Sequence, residues 1–134
     1  MAYSGYLIKV GDFEITGEKY IKYSSYSVAR KVQDLDSYRD ANGVLHRNAL
    51  QHTPIVVAFE TRALNNTELA TFLGTIQDNY LNALERSVLA TVYVPEIDDY
   101  VSQQMYLAEP EPKIRQIKDN VIIYEPLTLS FIGY

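Results

Sequence analysis

Ser87-Val88-Leu89-Ala90-Thr91-Val92-Tyr93-Val94 is rich in β-branched residues and ends at Pro95. Glu96-Ile97-Asp98-Asp99 follows as a polar, turn-like stretch, and Tyr100-Val101-Ser102-Gln103-Gln104-Met105-Tyr106-Leu107 resumes the pattern. Branched and aromatic side chains suit a pleated, half-buried surface, and a short polar break between two such runs marks an antiparallel pair. That pair sets the reading of the whole chain as a mainly β protein.

Strands also fill the sequence on either side. Tyr6–Val10 stops at the turn pair Gly11-Asp12, and Phe13-Glu14-Ile15 follows as its hairpin partner. From Tyr20 to Val32 the residues Tyr26, Val28 and Val32 share one parity, and Ser25, Ser27, Ala29 and Lys31 the other. This predicts one half-buried strand, with Arg30 the exception on its apolar side. Ile55–Thr61 is almost continuously apolar, which predicts a central strand covered on both faces or nearly so. Near the end, Lys113–Ile117, a turn at Asp119-Asn120, Val121–Tyr124 and Leu127–Ile132 complete the set. Pro126 marks a bulge or an edge, because proline cannot donate to a sheet ladder.

One segment repeats with a helical period. Leu69, Phe72, Leu73, Ile76 and Tyr80 fall on one face, and Asn65-x-x-Glu68 before them has the form of a capping box. The pattern predicts a helix over about 66–82. Gly74 within it points to a close approach by another backbone. About eight strands and one helix, without βαβ alternation, predict a mainly β (β+α) fold. The expected architecture is an antiparallel β-sandwich or partly open barrel with one flanking α-helix.

Composition agrees with a single domain over residues 1–134. The chain of 15.3 kDa is 47% hydrophobic and 22% charged, ordinary for a globular protein. A compact monomer of that mass exposes about 7,100 Å². There is no cysteine, which excludes disulfides, thiolate metal sites and a cysteine nucleophile. No apolar run has the length of a membrane helix. Met1-Ala2-Tyr3-Ser4-Gly5 lacks the pattern of a secretory signal, so no membrane step is expected. A net charge of −5 argues against nucleic-acid binding, which depends on phosphate contact. Twelve tyrosines stand beside four phenylalanines and no tryptophan, a bias that suits sheets and protein interfaces.

No constellation of catalytic residues is legible. HExxH, GxSxG, GxGxxG and phosphate-loop patterns are absent, and His46 and His52 read as exposed loop residues. Asp34, Asp36, Asp40, Asn42 and Gly43 resemble a calcium loop only in part. Aligned on Gly43, the template meets Tyr38 where its first Asp belongs and Ala49 where its bidentate Glu belongs. These carboxylates are therefore expected to solvate the segment and to pair with Arg39 or Arg47. Glu96, Asp98 and Asp99 read as a surface tip. The expectation is a protein that is not an enzyme and that needs no cofactor and no metal.

The most distinctive segment is polar. Residues 33–48 centre on Asn42-Gly43, a hairpin signal, with few apolar residues in either arm. A two-residue turn there pairs Ala41 with Val44 and Arg39 with His46. Such a hairpin projects from the body and calls for a partner surface. The expected contacts are Tyr38, Arg39, Asp40, Asn42, Val44, His46 and Arg47.

Gly5–Gly11, Leu35–Arg47, Asn82-Ala83-Leu84-Glu85-Arg86 and the closing Phe131-Ile132-x-Tyr134 resemble small proteins encoded in the tail modules of long-tailed bacteriophages and prophages. That family has no characterised activity, so the resemblance implies context. The strand count and single helix also look like the fold of tail-tube proteins and of the first domain of distal tail proteins. The resemblance implies a virion protein made in the bacterial host cytoplasm, which forms a homo-hexameric ring at the tail tube or its distal end near the baseplate. A hairpin arm would reach the neighbouring subunit, adjacent tail proteins would be further partners, and DNA would pass without specific binding. An acidic wall suits such a passage, because it repels phosphate. The alternative from a different class is a monomeric binding module for host-surface carbohydrate, using exposed tyrosines and calcium at the Asp34–Asn42 cluster.

Overall fold

The computed structural model describes residues 3–17 and 19–134; Met1 and Ala2 of the N-terminal reading, and Glu18, lie outside the described residues. In chain order the strands are β1 (Ile8–Val10), β2 (Phe13–Ile15), β3 (Ser27–Arg30), β4 (Tyr38–Arg39), β5 (Leu45–His46), β6 (Ile55–Glu60) and β7 (Leu64–Asn65). After the helix α1 (Asn66–Gln77) come β8 (Ser87–Val94), β9 (Asp99–Leu107), β10 (Ile114–Lys118), β11 (Val121–Tyr124) and β12 (Thr128–Gly133). Seven strands form one antiparallel sheet in the order β2-β1-β8-β9-β12-β6-β3. The fold is mainly β with one helix, as the sequence predicts.

The β8–β9 hairpin is the centre of that sheet, paired from Ser87↔Tyr106 to Val94↔Asp99. Its alternation decides which face is inside. Val88, Ala90, Val92 and Val94 are buried, while Leu89 on the opposite parity is exposed. Register carries this face across the sheet: Ile8 lies opposite Val92, Val88 opposite Met105, Leu107 opposite Phe131, and Phe131 opposite Val57. All of these residues are buried. Leu69, Phe72 and Ile76 of α1 join the same core.

The sheet curls until its two sides meet. The Tyr26 hydroxyl, at the entry to edge strand β3, donates to the carbonyl of Tyr93 at 2.6 Å and lies 3.2 Å from that of Leu7. This ties β3 to the far side of the sheet and makes the architecture a partly open barrel. Burial pushes the Tyr26 hydroxyl above the ordinary phenol range, with Tyr100 adding to it. Its folded-state pKa is raised, so its contribution is complete below the unfolded value of about 10 and is lost as pH rises above that. Tyr26→Phe should cost about 1–3 kcal/mol near neutral pH, because a buried acceptor loses its donor. It should also flatten the alkaline loss of stability. Urea unfolding at several pH values measures both.

Four expectations need correction. Tyr20–Val32 is not one strand: Tyr23–Ser25 forms a 3-10 turn and only Ser27–Arg30 is extended. The cause is tertiary, since Ser25 Oγ donates to the Lys22 carbonyl at 2.6 Å and accepts from the Glu60 amide at 2.8 Å. The chain changes direction there, so Ile21 is buried while Val32 is exposed despite its parity. β6 is not central but next to the edge, between β12 and β3, with one face buried and Val56, Ala58 and Glu60 of the other half-buried. The helix ends at Gln77, short of 82, where the Asn79 side chain donates to the Thr75 carbonyl at 2.9 Å. Its start is as expected, with a capping box between Asn65 and Glu68 at 2.8 and 3.1 Å. Gly74 faces open space, so no backbone approaches it. The close approach of another backbone is at Gly133 instead, where a Cβ would meet the Ile55 amide nitrogen at 2.9 Å and its carbonyl oxygen at 3.1 Å.

A small sheet, β10-β11-β7, lies beside α1. Asp119 and Asn120 both take positive φ, 52° and 64°, in the two-residue turn between β10 and β11. Pro126 stands where the chain passes from this sheet to β12. The accessible surface is 8288 Å², above the about 7,100 Å² of a compact monomer. Two exposed hairpins account for the direction of that difference.

Candidate functional site

The first hairpin is an arm built from residues 31–52. Backbone bonds join Leu50 N to Gln33 O at 2.7 Å, Leu35 N to Asn48 O at 2.9 Å and Asp40 N to Val44 O at 3.0 Å. Every residue from 31 to 52 is exposed except Asp40, which is half-buried. The arm thus holds its shape through its own ladder and receives no cover from the body. Val32, Leu35, Tyr38, Val44, Leu45 and Leu50 are large apolar side chains left in solvent on it.

The turn differs by one residue from the expected one. Tyr38 pairs with His46 and Arg39 with Leu45, so Ala41-Asn42-Gly43 is a three-residue loop. Gly43 N donates to Asp40 O at 3.0 Å, and Gly43 alone of the three has positive φ, 81°. That is a type I turn followed by a left-handed glycine. The Asp40 side chain decides it: Oδ1 accepts from the Asn42 amide at 2.9 Å and the Val44 amide at 3.1 Å. A two-residue Asn-Gly turn would leave those amides elsewhere.

The one-residue shift also sorts the expected contact residues. Tyr38, Asp40, Val44 and His46 come together on one face by register. The Tyr38 and His46 rings stack at 4.9 Å and 12°, and His46 Nε2 lies 2.9 Å from Asp40 Oδ2. Arg39 and Leu45 take the other face, where Arg39 Nη1 donates to the Gly43 carbonyl at 2.9 Å. Asn42 sits at the exposed tip. Arg47 points to the base of the arm and clasps Asp34 through Nε and Nη2 at 3.1 Å each. With Asp34 and Asp40 so engaged, no group of three or more acidic or histidine side chains converges on a metal-sized space among the described residues. His52 contacts the Tyr134 carbonyl at the arm's root.

Hydrogen bonding to His46 and to the two amides holds the Asp40 carboxyl below its ordinary value of 3.8. A depressed pKa contributes order that is complete above the unfolded value and is lost as pH falls through the folded one. The Asn42 and Val44 amide resonances should therefore titrate together with a midpoint below 3.8. Core amides should not follow them; NMR at stepped pH measures this.

Two further surfaces escape the sequence reading. Residues 111–121 form a second exposed hairpin, with Ile114, Ile117 and Val121 in solvent on β10 and β11. The signal for it was present, since Lys113 and Arg115 charge one parity of the predicted strand Lys113–Ile117 and Lys118 follows just beyond it. Tyr3, Leu7, Tyr23, Tyr26, Tyr93 and Pro95 line a groove of about 400 Å³. These residues lie far apart in sequence, and only the curl of the sheet assembles them.

The chain belongs to DUF6711, a family of unknown function, whose model matches residues 1–134. No curated protein and no solved structure matches it.

Proposed function

We propose that the protein is a non-enzymatic structural subunit of a bacteriophage tail, assembling into a ring at the tail tube or its distal end near the baseplate. The observation that carries the reading is the arm: an ordered, solvent-surrounded hairpin with apolar side chains on both faces. An isolated two-stranded hairpin is marginal in water, and exposed apolar clusters mark interaction sites. A neighbouring subunit is the partner that such a hairpin needs. The contact runs head to tail, with one copy's arm on the next copy's body, and closes into a ring when the rotation allows. Tyr38, Asp40, Asn42, Val44 and His46 make the tip contact, and Arg39 works from the opposite face. Arg47 supports them from the base through Asp34.

The tail context rests on the resemblance of Gly5–Gly11, Leu35–Arg47 and the chain's closing residues to phage tail-module proteins. A hexamer is the stoichiometry that this resemblance implies. The net charge of −5 fits a wall past which DNA slides without being held. Adjacent tail proteins are the further partners, and the finished protein resides in the virion. Quantitative mass spectrometry of purified phage particles tests the placement. The expected result is the protein at a fixed copy number per tail, and its absence from purified particles contradicts the proposal.

One observation favours a second reading, a monomeric module for host-surface carbohydrate. The tyrosine-lined groove offers ring faces on which a sugar could stack. Saturable binding of a host polysaccharide by the monomer, lost on Tyr23→Ala, would decide for it.

A further inference from the structure

Arg86 stands between the loop Leu81–Glu85 and β8 with φ 55°, a left-handed backbone that branched and bulky residues avoid. Its Nη1 is sealed from solvent and has no hydrogen-bond partner among the described residues, so a ligand meets the rest of the guanidinium. The nearest candidate in sequence, Glu85, is held elsewhere, by Asn82 Nδ2 at 2.8 Å and the Tyr134 hydroxyl at 3.1 Å. No carboxylate among the described residues pairs with the half-buried Arg86 guanidinium, and a charge left so is costly unless something outside the chain completes it.

The space beside it has the chemistry to do so. Arg86 lines a cavity of about 310 Å³ together with Gln77 and Tyr80 as polar groups and Leu73, Leu107 and Pro110 as apolar walls. Among the described residues, no acidic side chain lines this cavity. A second cavity that Arg86 also lines carries Glu85 and Glu109, so an anion is favoured in the first alone. Burial raises the Tyr80 hydroxyl and the Arg86 charge opposes that rise, which keeps the phenol a donor at neutral pH.

We propose that this cavity is a carboxylate site. The Arg86 guanidinium pairs with the carboxylate, Tyr80 and Gln77 donate to it, and a short apolar stem lies along Leu73, Leu107 and Pro110. Planar carboxylate suits a guanidinium fork, and the apolar walls select an acid on a carbon stem over inorganic phosphate. The carboxylate has two possible sources, a free small acid or an acidic side chain of a second copy of this chain. The inference does not depend on the ring reading.

Thermal unfolding of the full chain with propionate or benzoate, against chloride and inorganic phosphate at matched ionic strength, tests the free source. A saturable rise in Tm with either acid, abolished by Arg86→Met and weakened about tenfold by Tyr80→Phe, supports the proposal. Sedimentation at several concentrations tests the chain-borne source. Self-association weakened about tenfold by both variants, with no response to small acids, supports it too. Tyr80→Phe keeps the test valid if Arg86→Met does not fold. A response to phosphate alone, or acid binding and self-association unchanged in both variants, overturns it.

Discussion

Replacing residues 36–47 with Asn-Gly should leave a folded protein that no longer self-associates. Leu35 N and Asn48 O are 2.9 Å apart, so a two-residue turn can join the remaining strands without moving them. The segment removed contains no buried residue and shares no contact with the core of Ile8, Val57, Phe72, Val92 and Phe131. Surface changes of this kind shift stability by about 0.5 kcal/mol or less, and a shorter loop lowers the closure entropy slightly. The effect on assembly is of another order, because the removed residues include every expected contact. Circular dichroism should superimpose on the parent, and light scattering should report one chain of roughly the parent's mass. Unfolding of the variant would put the arm in the folding core. Persistence of the ring would put the assembly contact elsewhere, with the exposed β10 hairpin next in line.

Phe72→Ala should be the most destabilising single change. Phe72 is 1% exposed, stacks on Tyr20 at 4.6 Å and meets Phe13 edge-on at 6.2 Å. It therefore fastens α1 to β2 and to the segment before β3. Truncating a buried phenylalanine costs about 3–5 kcal/mol, partly through lost burial and partly through the cavity left behind. Total stability of a domain is about 5–15 kcal/mol, so this is a large share of it. A fall in Tm of more than about 10 °C is expected by calorimetry. Leu73→Ala, one residue along on the half-buried face, should cost clearly less. Equal effects of the two would mean that the helix docks through a different face.

What the sequence disclosed was local. The β8–β9 hairpin was legible because alternation over consecutive residues reports directly which face is wet. The start of α1 was legible because Asn65 and Glu68 satisfy each other's amides within four positions. The end of α1 was not, since Asn79 closes the helix by bonding Thr75 while its oxygen accepts from the Asp12 amide, 67 positions away. The parity of Tyr26 and Val28 was read correctly as a strand but extended too far. Ser25 breaks it by bonding Glu60 across the sheet. In the arm, Asn42-Gly43 announced a hairpin and the Asp40 carboxylate set its register. A single side chain choosing between two amide partners leaves no periodic trace. The tyrosine groove was invisible for a related reason, as it gathers residues that only the curled sheet brings together. The Arg86 cavity draws most of its lining from residues 73–86, and Leu107 and Pro110 close it from a distant part of the chain. The tyrosine bias itself is now partly explained. Tyr26 and Tyr100 spend their hydroxyls on the carbonyls of Tyr93 and Tyr6, holding the barrel's seam.

Sedimentation velocity of the intact chain, taken to high concentration, tests the central claim most directly. The account predicts a discrete, closed ring of 15.3 kDa subunits, a hexamer under the tail reading, in exchange with few smaller species. A single species of 15.3 kDa at every concentration would contradict it.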